Sequence, residues 1–317
     1  MTAAIKTLAL TKSFGDLKAV DSLTIEVAEG ELFGLVGPDG AGKTTTMRLL
    51  TAIMEPTSGE AWVNGKSIRT QAEAIKDDIG YVSQKFGLYQ DLTVAENIDF
   101  YADIYGVPKD IRTKRAEELL EFSHLTAFKK RLAGNLSGGM KQKLGLTCAL
   151  IHTPKVLFLD EPTNGVDPVS RREFWRILYR LLAEKVTIFV STAYLDEAER
   201  CNRVGLMHKG RLLACAAPDL VKTMMRGAIV ELRASDVRRA ADLLREKSVG
   251  HAVSLFGDKV HVAADNAEQV MENAKQALSA AGITVTDARI IAPSLEDVFV
   301  SVVTESTSGG NSGEQRR

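Results

Sequence analysis

The sequence predicts an α/β fold followed by a small α+β domain, and three observations support this. An apolar run, Leu32-Phe33-Gly34-Leu35-Val36, leads into the glycine loop Gly37-Pro38-Asp39-Gly40-Ala41-Gly42-Lys43-Thr44 and then a predicted helix from Thr44 to Thr51. A second apolar strand, Val156 to Leu159, ends in two carboxylates, Asp160 and Glu161. Beyond about residue 225 the pattern changes to short alternating strands and amphipathic helices.

The loop matches G-x-x-x-x-G-K-[ST], and strand, loop and helix follow in the order that this pattern needs. Its glycines let the backbone curl so that N–H groups and the helix N-terminus face an anion. Lys43 then reaches phosphate oxygens, and the Thr44 hydroxyl is placed to ligate Mg²⁺. The fold class is therefore that of a P-loop NTPase. The Val156 to Leu159 strand reads as fully buried and delivers Asp160 and Glu161 at its carboxyl end, where open α/β sheets bind their ligands. Two adjacent carboxylates there suit two tasks: Asp160 holds Mg²⁺ through its water shell, and Glu161 orients or deprotonates an attacking water.

Between these motifs lies Leu136-Ser137-Gly138-Gly139-Met140-Lys141-Gln142-Lys143, a polar glycine turn opening an apolar-periodic helix from Met140 to Ile151. Read alone, it is a serine N-cap with a flexible entry. The N–H groups of Gly138 and Gly139 at a helix N-terminus also make it a second anion site. In this order and spacing, the turn resembles the signature of ABC transporter nucleotide-binding subunits, and Val156 to Glu161 resembles their Walker B strand. The resemblance covers about residues 1 to 220. It implies ATP and Mg²⁺ as ligands, and two such domains bound head to tail, so that Ser137, Gly138 and Gly139 serve a partner's nucleotide. On this chain's own loop it implies nucleotide contacts from Gly37, Gly40, Gly42, Lys43, Thr44 and Thr45, with Thr44, Gln84 and Asp160 around the metal.

Further positions follow from the same resemblance. Gln84, in Tyr81-Val82-Ser83-Gln84, resembles the Q-loop glutamine, which contacts Mg²⁺ and the lytic water beside the catalytic Glu161 and relays the state of the site to the membrane subunit. Phe14 resembles the aromatic that stacks on adenine, a contact worth roughly 1–3 kcal/mol per base in nucleic-acid systems; a core aromatic is the other reading. Asp167, in Asn164-Gly165-Val166-Asp167, matches the D-loop, although the family more often has serine where Asn164 stands. After the apolar strand Val186 to Val190 the family has Ser-Thr-His, whereas this chain has Ser191-Thr192-Ala193 before the acidic helix Tyr194-Leu195-Asp196-Glu197-Ala198-Glu199. The family's histidine hydrogen-bonds the γ-phosphate and its water network, which a methyl group cannot do. Loss of one transition-state donor costs about 10²–10³ in rate in other enzymes, so the resemblance implies a site that binds ATP well and hydrolyses it slowly. None of the five histidines is placed by sequence to substitute. His208, the nearest, falls in a strand-to-turn stretch that reads as solvated.

The segment from about Thr93 to Ala149 reads as a helical subdomain, with helical spacing over Glu96 to Tyr105 and Asp110 to Phe122 and a break near Gly106-Val107-Pro108. Just beyond Gln84, the stretch Lys85 to Val94 mixes aromatics and glycine in a predicted loop. It suits docking of a partner helix, or Phe86 and Tyr89 cap the local core. No stretch approaches the roughly 18–20 apolar residues that cross a bilayer, and Met1 to Ala9 lacks a signal-peptide pattern. Any transport pathway is then expected in separate permease subunits, with this chain on the cytoplasmic face of the membrane.

After about residue 225, a strand at Ile229 to Leu232 is followed by a helix at Asp236 to Lys247, strands at His251 to Phe256 and Lys259 to Ala263, a helix at Ala267 to Ala281 and a strand at Ile283 to Ile291. This βαββαβ order resembles a ferredoxin-like unit, and with no cysteine after Cys215 it implies no iron–sulfur cluster. Ser294 reads as the N-cap of a last helix, with Asp297 three residues on. The expected domains are thus residues 1–225 for nucleotide binding, with about 93–149 helical, residues 226–303 as an α+β accessory domain, and a disordered polar tail at 304–317.

The ending Pro293-Ser294-Leu295-Glu296-Asp297-Val298-Phe299 resembles ATPases of ABC-2 type exporters. Together with Gln84-Lys85-Phe86-Gly87-Leu88-Tyr89 and Ser191 to Glu199, the chain is most similar to the histidine-lacking first half of tandem multidrug-exporter ATPases. That implies an ABC-2 permease and a second, non-identical ATPase subunit as partners. A regulatory nucleotide-binding subunit without useful turnover, and a soluble ABC protein, are the competing functions.

Composition agrees with this picture. A chain of 317 residues with 45% hydrophobic residues supports two sizeable cores. A net charge of −1 gives no basic footprint for nucleic acid. Cys148, Cys201 and Cys215 are odd in number and lack metal-ligand spacing, which fits a reduced chain.

Overall fold

The computed structural model describes residues 3–84, 87–225 and 227–308. They form two compact units that divide between Cys215 and Ala216. The first begins with β1 (Ala3–Phe14), β2 (Leu17–Leu23) and β3 (Glu26–Ala28), then β4 (Leu32–Val36) and α1 (Lys43–Leu50). Next come β5 (Ser58–Val63), β6 (Lys66–Ser67), α2 (Ala72–Asp78) and β7 (Ile79–Val82), followed by α3 (Val94–Ile104), α4 (Lys109–Phe122) and α5 (Gly138–Leu150). The unit closes with β8 (Val156–Asp160), α6 (Pro168–Ala183), β9 (Thr187–Thr192), the short α7 (Leu195–Ala198), β10 (Arg203–His208) and β11 (Arg211–Ala216).

A six-stranded sheet in the order β11-β10-β4-β9-β8-β7 is the spine of this unit, and its neighbours from β10 to β7 run parallel. Strands β4, β8 and β9 are buried along their whole length, as expected of parallel strands covered on both faces. Phe33 and Phe189 stack across β4 and β9 with ring centroids 5.3 Å apart, and Phe158 of β8 lies 5.7 Å from Phe189. Register decides the function of this sheet. Val36 pairs with Thr192 and Asp160 with Ser191, so the three segments that leave β4, β8 and β9 emerge side by side at the carboxyl edge. A second sheet, β2-β1-β5-β6 with β3 on β1, is antiparallel in its β1 pairings with β2, β3 and β5 and carries Phe14 at the end of β1.

Helices α3, α4 and α5 pack on one another. Helix α3 starts in a reciprocal capping box between Thr93 and Glu96, and α5 at Ser137, whose hydroxyl accepts from the Met140 N–H. Cys148 is buried within α5.

The second unit contains α8 (Pro218–Lys222), β12 (Ala228–Ala234), α9 (Val237–Glu246), β13 (Ala252–Phe256), β14 (Lys259–Ala264), α10 (Ala267–Ala280), β15 (Val285–Ile291) and α11 (Leu295–Ser308). Its sheet has the order β13-β14-β12-β15 with all neighbours antiparallel, the ferredoxin-like arrangement of a βαββαβ chain. Val230, Leu232, Val260 and Val262 meet Ala240, Leu244, Ala274 and Leu278 in its core. The compact unit starts before α8, earlier than the compositional change near residue 225, because Val221 of α8 is buried and α8 packs on α11. At the other end, α11 continues through Ser308 where a disordered tail is expected from Thr304; no helix breaker precedes Gly309-Gly310. Residues 309–317 lie outside the described residues.

Helix α11 is tied to the sheet by a polar cluster. Ser294 donates from its N–H and hydroxyl to Asp297 Oδ2 at 2.8 and 2.6 Å, and the Asp297 N–H returns a bond to the Ser294 hydroxyl at 3.2 Å. Asp297 Oδ1 meets His261 Nδ1 at 2.9 Å, while His261 Nε2 lies 3.2 Å from Glu231. Lys259 and Arg289 bond the same glutamate at 2.8 and 2.6 Å, and Phe256 stacks on the imidazole at 4.2 Å. Burial alone would push the carboxylates up and the imidazole down. Here it is outweighed: hydrogen bonds from Lys259, Arg289 and His261 hold Glu231 at about 2, those from His261 and Ser294 lower Asp297, and Asp297 and Glu231 raise His261.

The raised His261 stabilises the fold fully below its ordinary 6.5, and that contribution is lost as pH climbs through the higher folded value. The depressed carboxylates act in the opposite sense and lose their contribution only in acid. Amide exchange in α11, corrected for intrinsic rates, should therefore be slower at about pH 5.5 than at about pH 8.5, and His261→Gln should abolish the difference. Equal protection at both values in the unsubstituted chain would show that the cluster does not hold the helix.

Candidate active site

The loop after β4 is shaped by two close backbone approaches. A Cβ on Gly37 would lie 2.1 Å from the Met207 carbonyl oxygen, and one on Gly42, which has φ +106°, would lie 2.1 Å from that of Ala19. Only glycine fits at either place. The chain then enters α1, whose N-terminal N–H groups have no acidic side chain in the first turn to occupy them. Lys43 is buried and folds back over the loop, donating to the carbonyls of Gly37 at 2.8 Å and Pro38 at 3.0 Å. Its ammonium lies 3.1 Å from Glu161 Oε1.

Glu161 is held from several sides. Its backbone adopts φ +48°, a left-handed conformation that costs a non-glycine residue about 1–2 kcal/mol. The Glu161 N–H donates to the Ser191 carbonyl at 3.1 Å and the Ser191 hydroxyl at 3.0 Å, which fixes that turn. The Gln84 amide donates to Glu161 Oε2 at 2.9 Å, and the Asn164 amide reaches the same oxygen at 3.4 Å. Asp160 Oδ1 accepts from Ser191 at 2.6 Å and Thr44 at 3.2 Å. Half-buried Tyr81 has its phenol pushed up to about 12, first by burial and then by the charge of Asp160, so it stays neutral.

A divalent cation fits these donors. Asp160 Oδ2 is buried without a hydrogen-bond partner among the described residues, next to the Thr44 hydroxyl. Among the described residues no three or more His, Cys, Asp or Glu side chains cluster as a metal cage. Mg²⁺ needs none, since one or two carboxylates, waters and substrate phosphates complete its octahedron.

Gly37, Gly40, Gly42, Lys43, Thr44 and Thr45 thus lie along one loop and helix start, where Lys43 meets Glu161 and Thr44 meets Asp160, with Gln84 on Glu161. Phe14 is 48% exposed, which removes the core reading, and Lys12 Nζ sits 5.3 Å from its ring centroid. Asp167 caps α6, accepting from the N–H groups of Val169 and Ser170 at 3.0 Å. Gly139 lies where α5 meets α6, for a Cβ there would fall 2.5 Å from that of Ser170. Among the described residues no hydrogen bond or ion pair joins Ser137, Gly138 or Gly139 to the phosphate loop. Tyr89 is 49% exposed with its ring edge against Phe100, while Lys85 and Phe86 lie outside the described residues. His208 ends β10 half-buried and is not the solvated turn residue expected from the sequence.

Three contributions escape motif reading. Ser191 bonds both Asp160 and Glu161; its place beside Asp160 in a parallel register is the signal. Asn164 reaches Glu161 from the turn that follows β8. Fully buried Glu197 accepts from Thr163 at 2.5 Å and Thr192 at 2.8 Å and lies 3.5 Å from Arg171 Nε, pinning the segment that carries Ala193. Ala193 lines a pocket of about 120 Å³ with Asp39, Glu161, Asn164 and Tyr194.

Comparison with known proteins agrees with this geometry. Residues 20–164 match the ABC transporter family model. The chain is 36% identical over 312 residues to the bacitracin transport ATP-binding protein BcrA of Bacillus licheniformis, covering 98% of this chain and 100% of that one. It is 50% identical over 212 residues to the probable multidrug ABC transporter ATP-binding protein YbhF of Escherichia coli, a match covering 67% of this chain and only 37% of the relative's own length. Among solved structures, cbiO1 of Clostridium perfringens, part of the ABC transporter complex cbiONQ, superposes with a TM-score of 0.65 at 27% identity, over 70% of this chain and 92% of that one. A dimeric ATP-binding cassette in a post-hydrolysis state with ADP and Pi gives 0.62 at 26% identity, over 67% and 98%. With a phosphate loop, paired carboxylates and these relatives in agreement, the chain belongs to the ABC transporter family, among its ATP-binding proteins.

Proposed function

We propose that this chain binds and hydrolyses ATP to energise an ABC-2 type exporter, and that hydrolysis at its own phosphate loop is slow because Ala193 stands where the family has histidine. The observation that carries the reading is the contrast around one pocket. Glu161, paired with Lys43 and next in sequence to the Asp160 that Thr44 bonds, lines it together with Ala193, which offers only a methyl group. An attacking water would keep Glu161 as base but would lack a second donor near the γ-phosphate.

The roles follow from the contacts. The loop N–H groups and Lys43 bind phosphates, and Phe14 is open to stack on the base. Thr44 and Asp160 would hold Mg²⁺, which neutralises phosphate charge when bound. Gln84 and Asn164 orient Glu161, whose carboxylate accepts a proton from water. Ser137 and Gly138 are exposed, with Gly139 buried behind them against α6, and this turn would cover the nucleotide of a second ATPase subunit, which we take to be non-identical. Among the described residues no helix is long and apolar enough to cross a membrane, so translocation is assigned to permease subunits. Tyr89, just past Gln84, is exposed where such a partner would dock. Residues 216–308 form an accessory domain in this scheme.

Restoring the missing donor tests the reading. Ala193→His should raise turnover at saturating ATP by about tenfold or more while leaving ATP affinity within about twofold. Unchanged turnover would sink the claim that position 193 limits this site. Glu161→Gln should cut hydrolysis by about 10² or more and spare ATP binding. If unsubstituted chain and Glu161→Gln hydrolyse ATP equally poorly, the chain is a regulatory nucleotide-binding subunit.

A further inference from the structure

The pocket wall beside Ala193 holds a second hydrogen-bonding path to Glu161. Tyr194, the next residue, points its hydroxyl at Asn164 Oδ1, 3.5 Å away, and the Asn164 amide donates to Glu161 Oε2 at 3.4 Å. Gln84 donates to that same oxygen at 2.9 Å, so Glu161 is steered from two directions. The tyrosine is fixed at both ends. Its N–H donates to the Thr192 hydroxyl at 3.0 Å, and the Arg171 guanidinium lies 4.5 Å from its ring centroid. Arg171 is in turn positioned by the buried carboxylate of Glu197, 3.5 Å from its Nε, which also accepts from Thr163 and Thr192. A packed cation above the ring and a buried anchor beneath that cation restrict where the phenol can point.

We propose that Tyr194 and Asn164 are positioning residues for hydrolysis at this phosphate loop: they orient Glu161 and the water it activates, and so do part of the work that a donor at position 193 would do. The inference rests on the slow-hydrolysis reading of Ala193. Phenol and amide donate along the path while Glu161 remains the proton acceptor, so the relay transfers no proton of its own. Both bonds are long and Tyr194 is 37% exposed, hence each is worth at most a single ordinary hydrogen bond and not the full effect of a buried imidazole.

The test is a mutant cycle on the full-length chain, reading kcat and KM separately alongside ATP affinity. Tyr194→Phe should lower kcat about fivefold with KM and affinity within about twofold. Asn164→Ala should match it, and the double variant should be no worse than either single one, as expected of one path. In the Ala193→His background the Tyr194→Phe loss should shrink to less than about twofold, because the imidazole takes over. Unchanged kcat in Tyr194→Phe, additive losses, the same loss with histidine present, or a loss shared with ATP affinity would each overturn the proposal. If Ala193→His itself leaves turnover unchanged, the slow-hydrolysis reading fails on its own. The relay then stands or falls on the kcat of Tyr194→Phe and its non-additivity with Asn164→Ala.

Discussion

The ion pair between Lys43 and Glu161 is the constraint around which the first unit is organised. Both side chains are nearly buried, so each charge has lost most of its hydration and only the partner and local hydrogen bonds offset that cost. Removing one partner of such a pair typically costs roughly 3–5 kcal/mol, because the other is left uncompensated. That penalty explains how densely the site is supported. Two loop carbonyls take the remaining protons of Lys43, and Gln84 and Asn164 take the second oxygen of Glu161. The pair forms only if β4 and β8 end at the same level on either side of β9, so the parallel register and its aromatic packing are conditions for the chemistry.

The same pair bears on ligand exchange. A phosphate arriving at the loop would offer Lys43 an alternative anion, and Glu161 would then be free to turn toward water with its amide donors still in place. Exchange of one counter-charge for another keeps the buried ammonium compensated throughout, which is cheaper than exposing it. Nothing in this exchange requires a group at position 193. Under the proposed function, binding and hydrolysis separate, with the loop and Lys43 serving the first and Glu161, with the wall around Ala193, Asn164 and Tyr194, serving the second.

Much of this is legible in the sequence because the chemistry is local. Gly37 to Thr44 and Asp160-Glu161 carry their geometry in consecutive residues, and the βαββαβ order of the second unit follows from its periodicity. What escapes is set by neighbours distant in sequence. Ser191 matters because β9 lies beside β8, and Glu197 and Arg171 matter because α7 meets α6. Neither pairing has a motif. Helix α8 joins the second unit through Val221 and α11, a tertiary contact that composition near residue 225 does not reveal. Phe14 has two readings in the sequence, and His208 reads wrongly as solvated, for the same reason: exposure of one aromatic or one strand-end residue depends on how sheets are covered.

The proposal that Ala193 slows hydrolysis on this chain's own loop requires ATP held there to outlive many cycles of the complex. An azido-ATP labelled in its γ-phosphate, crosslinked to this chain at successive times during steady turnover of the membrane-extracted complex, measures this directly. The label should stay on this chain while bulk ATP is consumed. Loss of the γ-label from this chain in step with bulk hydrolysis would contradict it.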